Sequence, residues 1–221
     1  MSSTADALVA RNNRWSGFSG CAIILDRMLL SVKVRTGSPV AQWRNASCTR
    51  FVILVRAWAA DTMPPAAEQR LAREIYKQMI EVKSGFTTGS TTPIAESVAA
   101  RFRAAGFPAS DIFVGGAIPT KANVVVRYRG AGGRNPILLL AHIDVVEARR
   151  EDWTTDPFIF LEKDGYFYGR GTADDKAQAA VWVATLLRFK REGYKPDRDL
   201  ILALTADEEG GGPYNGVDWL L

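Results

Sequence analysis

After the N-terminal segment, apolar residues recur at helical spacing in two successive stretches, which predict two amphipathic helices. The first helical pattern begins after Pro65 and ends before Gly85, and the second begins at Pro93 and ends before Gly106. Proline suits the first turn of a helix, and glycine suits the position that follows its last turn. The pattern therefore predicts two helices separated by a loop rich in Thr, Gly and Ser at residues 86–92.

Short apolar runs and one further helical pattern fill the C-terminal half of the chain. The run at residues 136–141 is almost wholly apolar, which is typical of a central strand in a parallel sheet. Asp164-Gly165 lies between two short runs and predicts a hairpin, because glycine tolerates a positive φ. Strands that alternate with helices indicate an α/β fold with a mixed, largely parallel central sheet flanked by helices. The predicted strands are 122–129, 136–141, 158–162, 166–168 and 199–205, and the predicted helices are 178–190 and a last one from residue 215.

Residues 1–60 differ from the remainder in both pattern and charge. They show no clear period, and they hold eight Lys/Arg against two Asp/Glu. The whole chain has 28 basic and 24 acidic residues, so residues 61–221 hold 20 and 22 and are slightly acidic. Nucleic-acid binding is not expected of an acidic segment that lacks a basic stripe. We interpret residues 1–60 as a leader or extension of uncertain order, and residues 61–221 as the functional domain.

The cysteines and the hydropathy of the chain exclude some classes of site, and they leave the cellular location of the protein open. Cys21 and Cys48 are not in a C-x-x-C arrangement, so neither a redox motif nor a cysteine-based zinc site is indicated. No apolar stretch reaches the roughly 18–20 residues of a transmembrane helix, and no membrane partner is expected. The apolar run at residues 51–55 resembles the end of an export signal only weakly. A cytoplasmic and an exported protein are both compatible with this sequence.

The first motif whose side chains can take part in chemistry is A-H-I-D-V-V at residues 141–146. His142 is the only histidine of the chain, and it follows a predicted buried strand. The carboxyl end of such a strand is where α/β proteins place their ligand sites. Asp144 lies two residues further on, hence on the same side of an extended chain, where it can accept a hydrogen bond from the His142 ring. This motif alone is equally compatible with a buried histidine that has a local aspartate partner and no metal.

The second motif is G-R-G-T-A-D-D-K at residues 169–176. A carboxylate has two oxygens, so Asp174 or Asp175 can bridge two cations. Either residue can equally cap the N-terminus of the helix that follows. Lys176 is expected to be a solvated or ion-paired side chain.

The third motif is T-A-D-E-E-G at residues 205–210, after another apolar strand. Adjacent residues of a turning segment point in different directions, so one of Glu208 and Glu209 can ligate a metal while the other faces a bound water. An ordinary acidic loop is the alternative. The glycines that follow allow the backbone to pass close to a ligand, and Asp207 is expected to be structural.

As a set, the three motifs resemble the M20 family of metallopeptidases and deacylases. They are 32 residues apart from His142 to Asp174 and 35 residues apart from Asp174 to Glu209, and each follows a separate strand or hairpin. The family patterns are H-x-D-V-V, G-R-G-x-x-D-D-K-G and a strand that ends in D-E-E. The resemblance covers about residues 62–221. It implies a zinc-exopeptidase-like fold of which this chain holds the truncated, N-terminal part of the catalytic domain.

The resemblance also implies residue roles. His142 binds one zinc ion, Asp174 bridges two, and Glu209 binds the second. Glu208 is the general base, and Asp144 is the partner that orients His142. Two zinc ions about 3.5–4 Å apart hold a water and bring its pKa from about 15.7 to near 7. Ligands of this kind also suit Co²⁺ or Mn²⁺, and the implied substrate is a peptide, a dipeptide or an N-acyl amino acid.

The chain departs from the family pattern at several points. Glu147 stands where the family often has proline, and Ala177 replaces the usual glycine. The family's later carboxylate ligand, its C-terminal histidine and its lid domain have no counterpart, and a homodimer is expected only through that lid. The reaction implied for the complete enzyme is zinc-dependent hydrolysis of an amide bond, with this chain inactive alone. The alternative is a non-catalytic truncated remnant that serves as an α/β interaction module.

Overall fold

A computed structural model of the protein describes residues 63–221 and the backbone of the two-residue segment Ala10–Arg11. The predicted helices and strands between residues 63 and 221 are confirmed, with ends that shift by up to four residues. Strand β2 is an addition, because its apolar pattern is too short to distinguish from a loop. The strands are β1 (Ala10–Arg11), β2 (Ile112–Gly115), β3 (Asn123–Tyr128), β4 (Ile137–His142), β5 (Leu161–Lys163), β6 (Tyr166–Tyr168) and β7 (Leu200–Thr205). The helices are α1 (Ala66–Ile80), α2 (Thr92–Ala104), α3 (Lys176–Glu192) and α4 (Gly216–Leu220), with 3₁₀ turns at Ala109–Asp111 and Arg150–Asp152.

The main sheet has four strands in the order β2-β3-β7-β4. Strand β3 is antiparallel to both β2 and β7, whereas β4 and β7 are parallel, with His142 opposite Thr205. The predicted mixed α/β sheet is therefore confirmed. Within this sheet, the parallel pairing is that of β4 with β7, and one further parallel bridge joins Gly85 to Val145.

Strand β4 lies at an edge of this sheet in the described residues, although its apolar run predicted a central strand. Leu138 and Leu140 are 58% and 41% exposed. Helices cover the opposite face, where Leu139 is paired with Leu202 and contributes to the core. The apolar composition of β4 indicated a strand covered on both faces, and only one face is covered here.

Three helices cover the same face of the sheet. Helix α1 packs on α3, α3 packs against β4 and β7, and α2 packs against β2 and β3. Every third or fourth residue of each helix is apolar, so each presents one stripe to a shared core. The core includes Ile75, Met79, Val98, Phe102, Val183, Leu186, Val126, Leu202 and Leu204.

A separate hairpin precedes the second motif. Strands β5 and β6 are antiparallel, and Asp164 and Gly165 both have positive φ, at 53° and 80°, as the sequence predicted for this turn. The two residues of β1 pair with β6. Apart from them, the interpretation of residues 1–60 as a leader falls outside the described residues. Among the described helices, none combines the length and the hydropathy that crossing a membrane requires.

Candidate metal centre

His142 ends β4 and is 9% exposed. Its Nδ1 lies 3.2 Å from the main-chain oxygen of Asp144 and 3.6 Å from Oδ1 of the same residue. Its Nε2 lies 2.9 Å from Oδ1 of Asp174. The ring is therefore held between two aspartates. The hydrogen bond that the Asp144 carboxylate was expected to accept from the ring is accepted by the Asp144 main-chain carbonyl instead.

The surroundings of His142 favour its protonated form. Burial by itself lowers the pKa of the ring, but the neighbouring Asp144 and Asp174 outweigh burial and raise that pKa to about 9. In the absence of a metal, an imidazolium at neutral pH donates from both ring nitrogens, toward the Asp144 carbonyl and the Asp174 carboxylate.

The second motif reaches the site through a loop that needs two glycines. Gly169 and Gly171 have φ of 152° and 84°, and a Cβ on Gly171 would lie 2.8 Å from a methyl carbon of Val145. The Tyr76 hydroxyl of α1 donates to the carbonyl of Thr172 at 2.6 Å and so fixes the loop to the helical layer. The loop then turns into α3 with Asp174 directed toward His142.

The two aspartates of this motif take different positions. Asp175 occupies the N-cap position of α3, but its side chain makes no capping hydrogen bond. Burial raises the pKa of Asp175 to about 6. The negative charges of Asp174 and Glu208 also raise this pKa, whereas His142 lowers it. The alternative in which the motif serves as a side-chain cap therefore does not describe this helix start.

Lys176 contradicts the expectation of a solvated or ion-paired side chain. It is fully buried, and its Nζ donates to the carbonyls of Met79 at 2.8 Å and Val82 at 3.3 Å, at the end of α1. Burial lowers its pKa to about 7, although the Asp144 carboxylate acts in the opposite direction. The lysine that follows the acidic pair is thus part of the interior and ties the start of α3 to the end of α1.

Asp144 holds the third motif through a contact that the sequence did not indicate. The amides of Glu208 and Glu209 donate to Oδ1 and Oδ2 of Asp144 at 3.2 Å and 3.0 Å. Burial raises the pKa of Asp144, but His142 and these two amides outweigh burial and lower it. A single carboxylate therefore links the histidine motif to the turn that carries the paired glutamates.

The three motifs converge on one point. One ligand atom each of His142, Asp174 and Glu209 lies within 4.8 Å of the others. Oε2 of Glu208 is 3.8 Å from His142 Nε2, and this side chain is 56% exposed. Burial, followed by the charge of Asp174, raises the pKa of Glu209. One imidazole nitrogen and two carboxylates are a donor set that suits zinc and neighbouring divalent metals.

Glu147 is a further polar anchor beside the site. Its carboxylate accepts hydrogen bonds from the amides and hydroxyls of both Thr87 and Thr88, at 2.6–3.0 Å. These bonds outweigh the effect of burial and lower the pKa of Glu147 to about 2. The residue that replaces the family's proline thus closes the loop between α1 and α2, a role that no local sequence signal indicated.

Comparison with known proteins places the C-terminal part of the chain in context. Residues 138–221 match the model of peptidase family M20/M25/M40. The N-fatty-acyl-amino acid synthase/hydrolase PM20D1 of Xenopus tropicalis is 47% identical over 77 residues, which are 35% of this chain and 15% of that protein. The succinyl-diaminopimelate desuccinylase of Delftia acidovorans is 41% identical over 90 residues, 40% of this chain and 23% of that protein. The chain therefore spans less than a quarter of the length of these relatives.

Solved structures share the fold. Human carnosine dipeptidase 1 matches with a TM-score of 0.53 at 18% identity, over 68% of this chain and 37% of the dipeptidase. The dipeptidase Dug1p of Saccharomyces cerevisiae matches with a TM-score of 0.56 at 21% identity, over 66% of this chain and 33% of that protein. These matches confirm the predicted fold, a mixed sheet with flanking helices.

Proposed function

We propose that this chain is a member of the M20/M25/M40 peptidase family, whose model matches residues 138–221, and that it contributes the metal centre of an enzyme that hydrolyses an amide bond. The observation that carries the proposal is the convergence of His142, Asp174 and Glu209, whose ligand atoms lie within 4.8 Å of one another although they come from three separate motifs. An acidic loop with no function would not require three distant segments to place donor atoms at one point.

The proposed ligands are His142, Asp174 and Glu209, and the proposed metal is zinc, with Co²⁺ or Mn²⁺ as substitutes. When bound, the metal supplies Lewis acidity that polarises a carbonyl and lowers the pKa of water. Oδ1 of Asp174 lies against His142, and its second oxygen is proposed to hold a further cation. The full ligand set of a two-metal site is proposed to need residues beyond these three.

Glu208 is proposed as the general base. Its carboxylate is exposed and lies 3.8 Å from His142 Nε2, so it faces the centre while it remains open to water. In this position it would accept a proton from the attacking water and return that proton to the leaving nitrogen. Asp144 would not touch the substrate, but it fixes the backbone of Glu208 and the ring of His142 together.

The proposed substrates are peptides, dipeptides or N-acyl amino acids. The support is the similarity of this chain to an N-fatty-acyl-amino acid synthase/hydrolase, a succinyl-diaminopimelate desuccinylase and two dipeptidases. All of these compounds contain an amide next to a carboxylate. We propose that the 221-residue chain is inactive alone, because its three ligands leave a second metal incompletely held.

The test is metal analysis of the chain and of any longer form of the protein, combined with an assay on a panel of dipeptides and N-acyl amino acids. We expect zinc to co-purify with the longer form and to be required for turnover of at least one member of the panel. A longer form that carries the late ligands, yet binds no metal and cleaves none of these amides, would favour the interaction module instead.

A further inference from the structure

A buried ion pair involves Asp207, the residue that precedes Glu208 and Glu209. Nζ of Lys121 lies 3.1 Å from Oδ1 of Asp207, and both side chains are only 5% exposed. The same Nζ donates to the carbonyl of Phe86 in the loop between α1 and α2. Lys121 thus joins the turn to that loop from a position just before β3.

The turn is shaped around the Asp207 carboxylate. Asp207 is a non-glycine residue with φ of 60°, in the left-handed region that side chains usually avoid. A Cβ on Gly210 would lie 2.9 Å from Asp207 Oδ1 and 3.2 Å from the Phe86 side chain. The backbone therefore wraps closely around this carboxylate.

A second buried polar residue supports the same turn. The Asn123 side chain accepts from the amide of Ala206 at 2.9 Å and donates to the carbonyl of Gly115 at 3.0 Å. The Asp144 carboxylate accepts from the amides of Glu208 and Glu209 in the same turn. The turn that carries the glutamates is thus held both by the Asp144 carboxylate and by the Lys121–Asp207 pair.

We propose that Lys121 is a positioning residue of the metal centre, which it controls through Asp207 by setting the place of Glu209 relative to His142 and Asp174. This inference rests on the proposed function, because it assumes that Glu209 is a ligand. A buried ion pair is weak evidence for stability, since apolar or neutral replacements of the whole pair are often tolerated. Its role in positioning can therefore be separated from its role in folding.

The experiment compares K121M, K121R, D207N and the double variant K121M/D207N. The matched control is R129M, which breaks the Arg129–Asp111 pair at the other end of β3, on the order of 25 Å away. Two readouts are used, namely the affinity of the chain for zinc and hydrogen exchange of the Glu208 and Glu209 amides without metal. His142 is the only histidine, so its ring also gives a single NMR reporter of ligand geometry.

We expect K121M to lower zinc affinity by about 10–100-fold, the usual effect of losing a residue that supports a ligand. Exchange of the two glutamate amides should accelerate by ~10-fold, because the turn opens locally. The double variant should regain thermal stability relative to K121M, since no lone charge stays buried, while its zinc affinity stays low. K121R should retain most of the affinity, and R129M should match the parent.

The proposal is overturned if the double variant recovers the parent's zinc affinity and amide exchange, or if R129M behaves like K121M. It is also overturned if none of the Lys121 and Asp207 variants folds, since the pair would then serve folding alone. If neither the parent nor a longer form of the protein takes up zinc, the metal-centre proposal fails, and amide exchange without metal still decides whether Lys121 positions the turn.

Discussion

The two ends of the central sheet use the same residue types for opposite purposes. At the end where β3 finishes and β4 and β7 begin, each aspartate has an arginine or amide partner. Asp199 accepts from the amide of Gly130 at 2.8 Å and from Arg127 at 2.6 Å. Asp111 pairs with Arg129 through two hydrogen bonds. The Gly130 amide and then Arg127 lower the pKa of Asp199. The negative charge of the carboxylates at this end is therefore compensated, and this end is called the neutralised end.

At the other end the acids outnumber their cationic partners. Asp174, Glu208 and Asp144 lie around a single histidine, and burial raises the pKa of Asp175 to about 6. The two lysines nearby are engaged elsewhere, Lys176 with helix carbonyls and Lys121 with Asp207. Carboxylates held close together without cationic partners are typical of a site that binds a cation. The carboxylates of the neutralised end instead serve the structure of the sheet.

The largest effect is expected from Glu208→Gln in a form of the enzyme with its complete site. Turnover should fall by about 10²–10⁴-fold, because the variant loses a positioned proton-transfer group. Zinc content should not change, since Glu208 is not a proposed ligand. Steady-state kinetics with parallel metal analysis measures both, and unchanged turnover would remove the base assignment.

Glu209→Gln should instead lower bound zinc. Removal of a residue that supports a ligand lowers metal affinity by about 10–100-fold. The loss expected here is at least as large, because a direct ligand is removed. The neighbouring Glu208→Gln variant is the matched control, as the two substitutions differ by one position in the same turn. Loss of zinc from the Glu208 variant and retention by the Glu209 variant would reverse the two roles.

The pH dependence of the metal-free chain should distinguish the acidic end from the neutralised end. The pKa of His142 is raised to about 9 from an unfolded value of about 6.5. A raised pKa contributes stability that is complete below the unfolded value and is lost as pH rises through the folded value. The melting temperature should therefore fall between about pH 6.5 and 9 through this residue. Thermal melts of the parent and of His142→Gln measure it, and an identical pH profile in both would contradict it.

Removing an ion pair at the neutralised end should have a small effect. Arg127→Met breaks an exposed pair, and such pairs contribute little to stability. The melting temperature should drop by a few degrees at most, and zinc affinity should equal that of the parent. A marked loss of zinc in this variant would mean that the two ends of the sheet are coupled and do not act independently.

Deletion of residues 1–60 should have the smallest effect. The described part of that segment, Ala10–Arg11, pairs with β6 and not with the four-stranded sheet. We expect the melting temperature and the zinc affinity of the truncated chain to stay close to those of the parent, as measured by calorimetry and metal titration. A large loss of soluble protein would show that the segment supports the fold.

Much of this molecule was predictable from local sequence. The apolar periods predicted the helices and most strands because amphipathic elements bury one face each. The motifs after β4, after the hairpin and after β7 predicted the convergence of His142, Asp174 and Glu209, since these segments end near one edge of the sheet. The order of the motifs also indicated the family.

The tertiary structure alone decided which partner each polar group has. Lys176 looks like any charged residue at a helix start, but packing of α1 on α3 buries it against two carbonyls. Lys121 lies 86 residues from Asp207 in sequence, and their contact depends on the pairing of β3 with β7. The same holds for Asp144 and the glutamate amides 64 and 65 residues away. Local patterns determine which surfaces are buried, whereas the pairing of charges inside those surfaces depends on contacts between distant segments that no local pattern encodes.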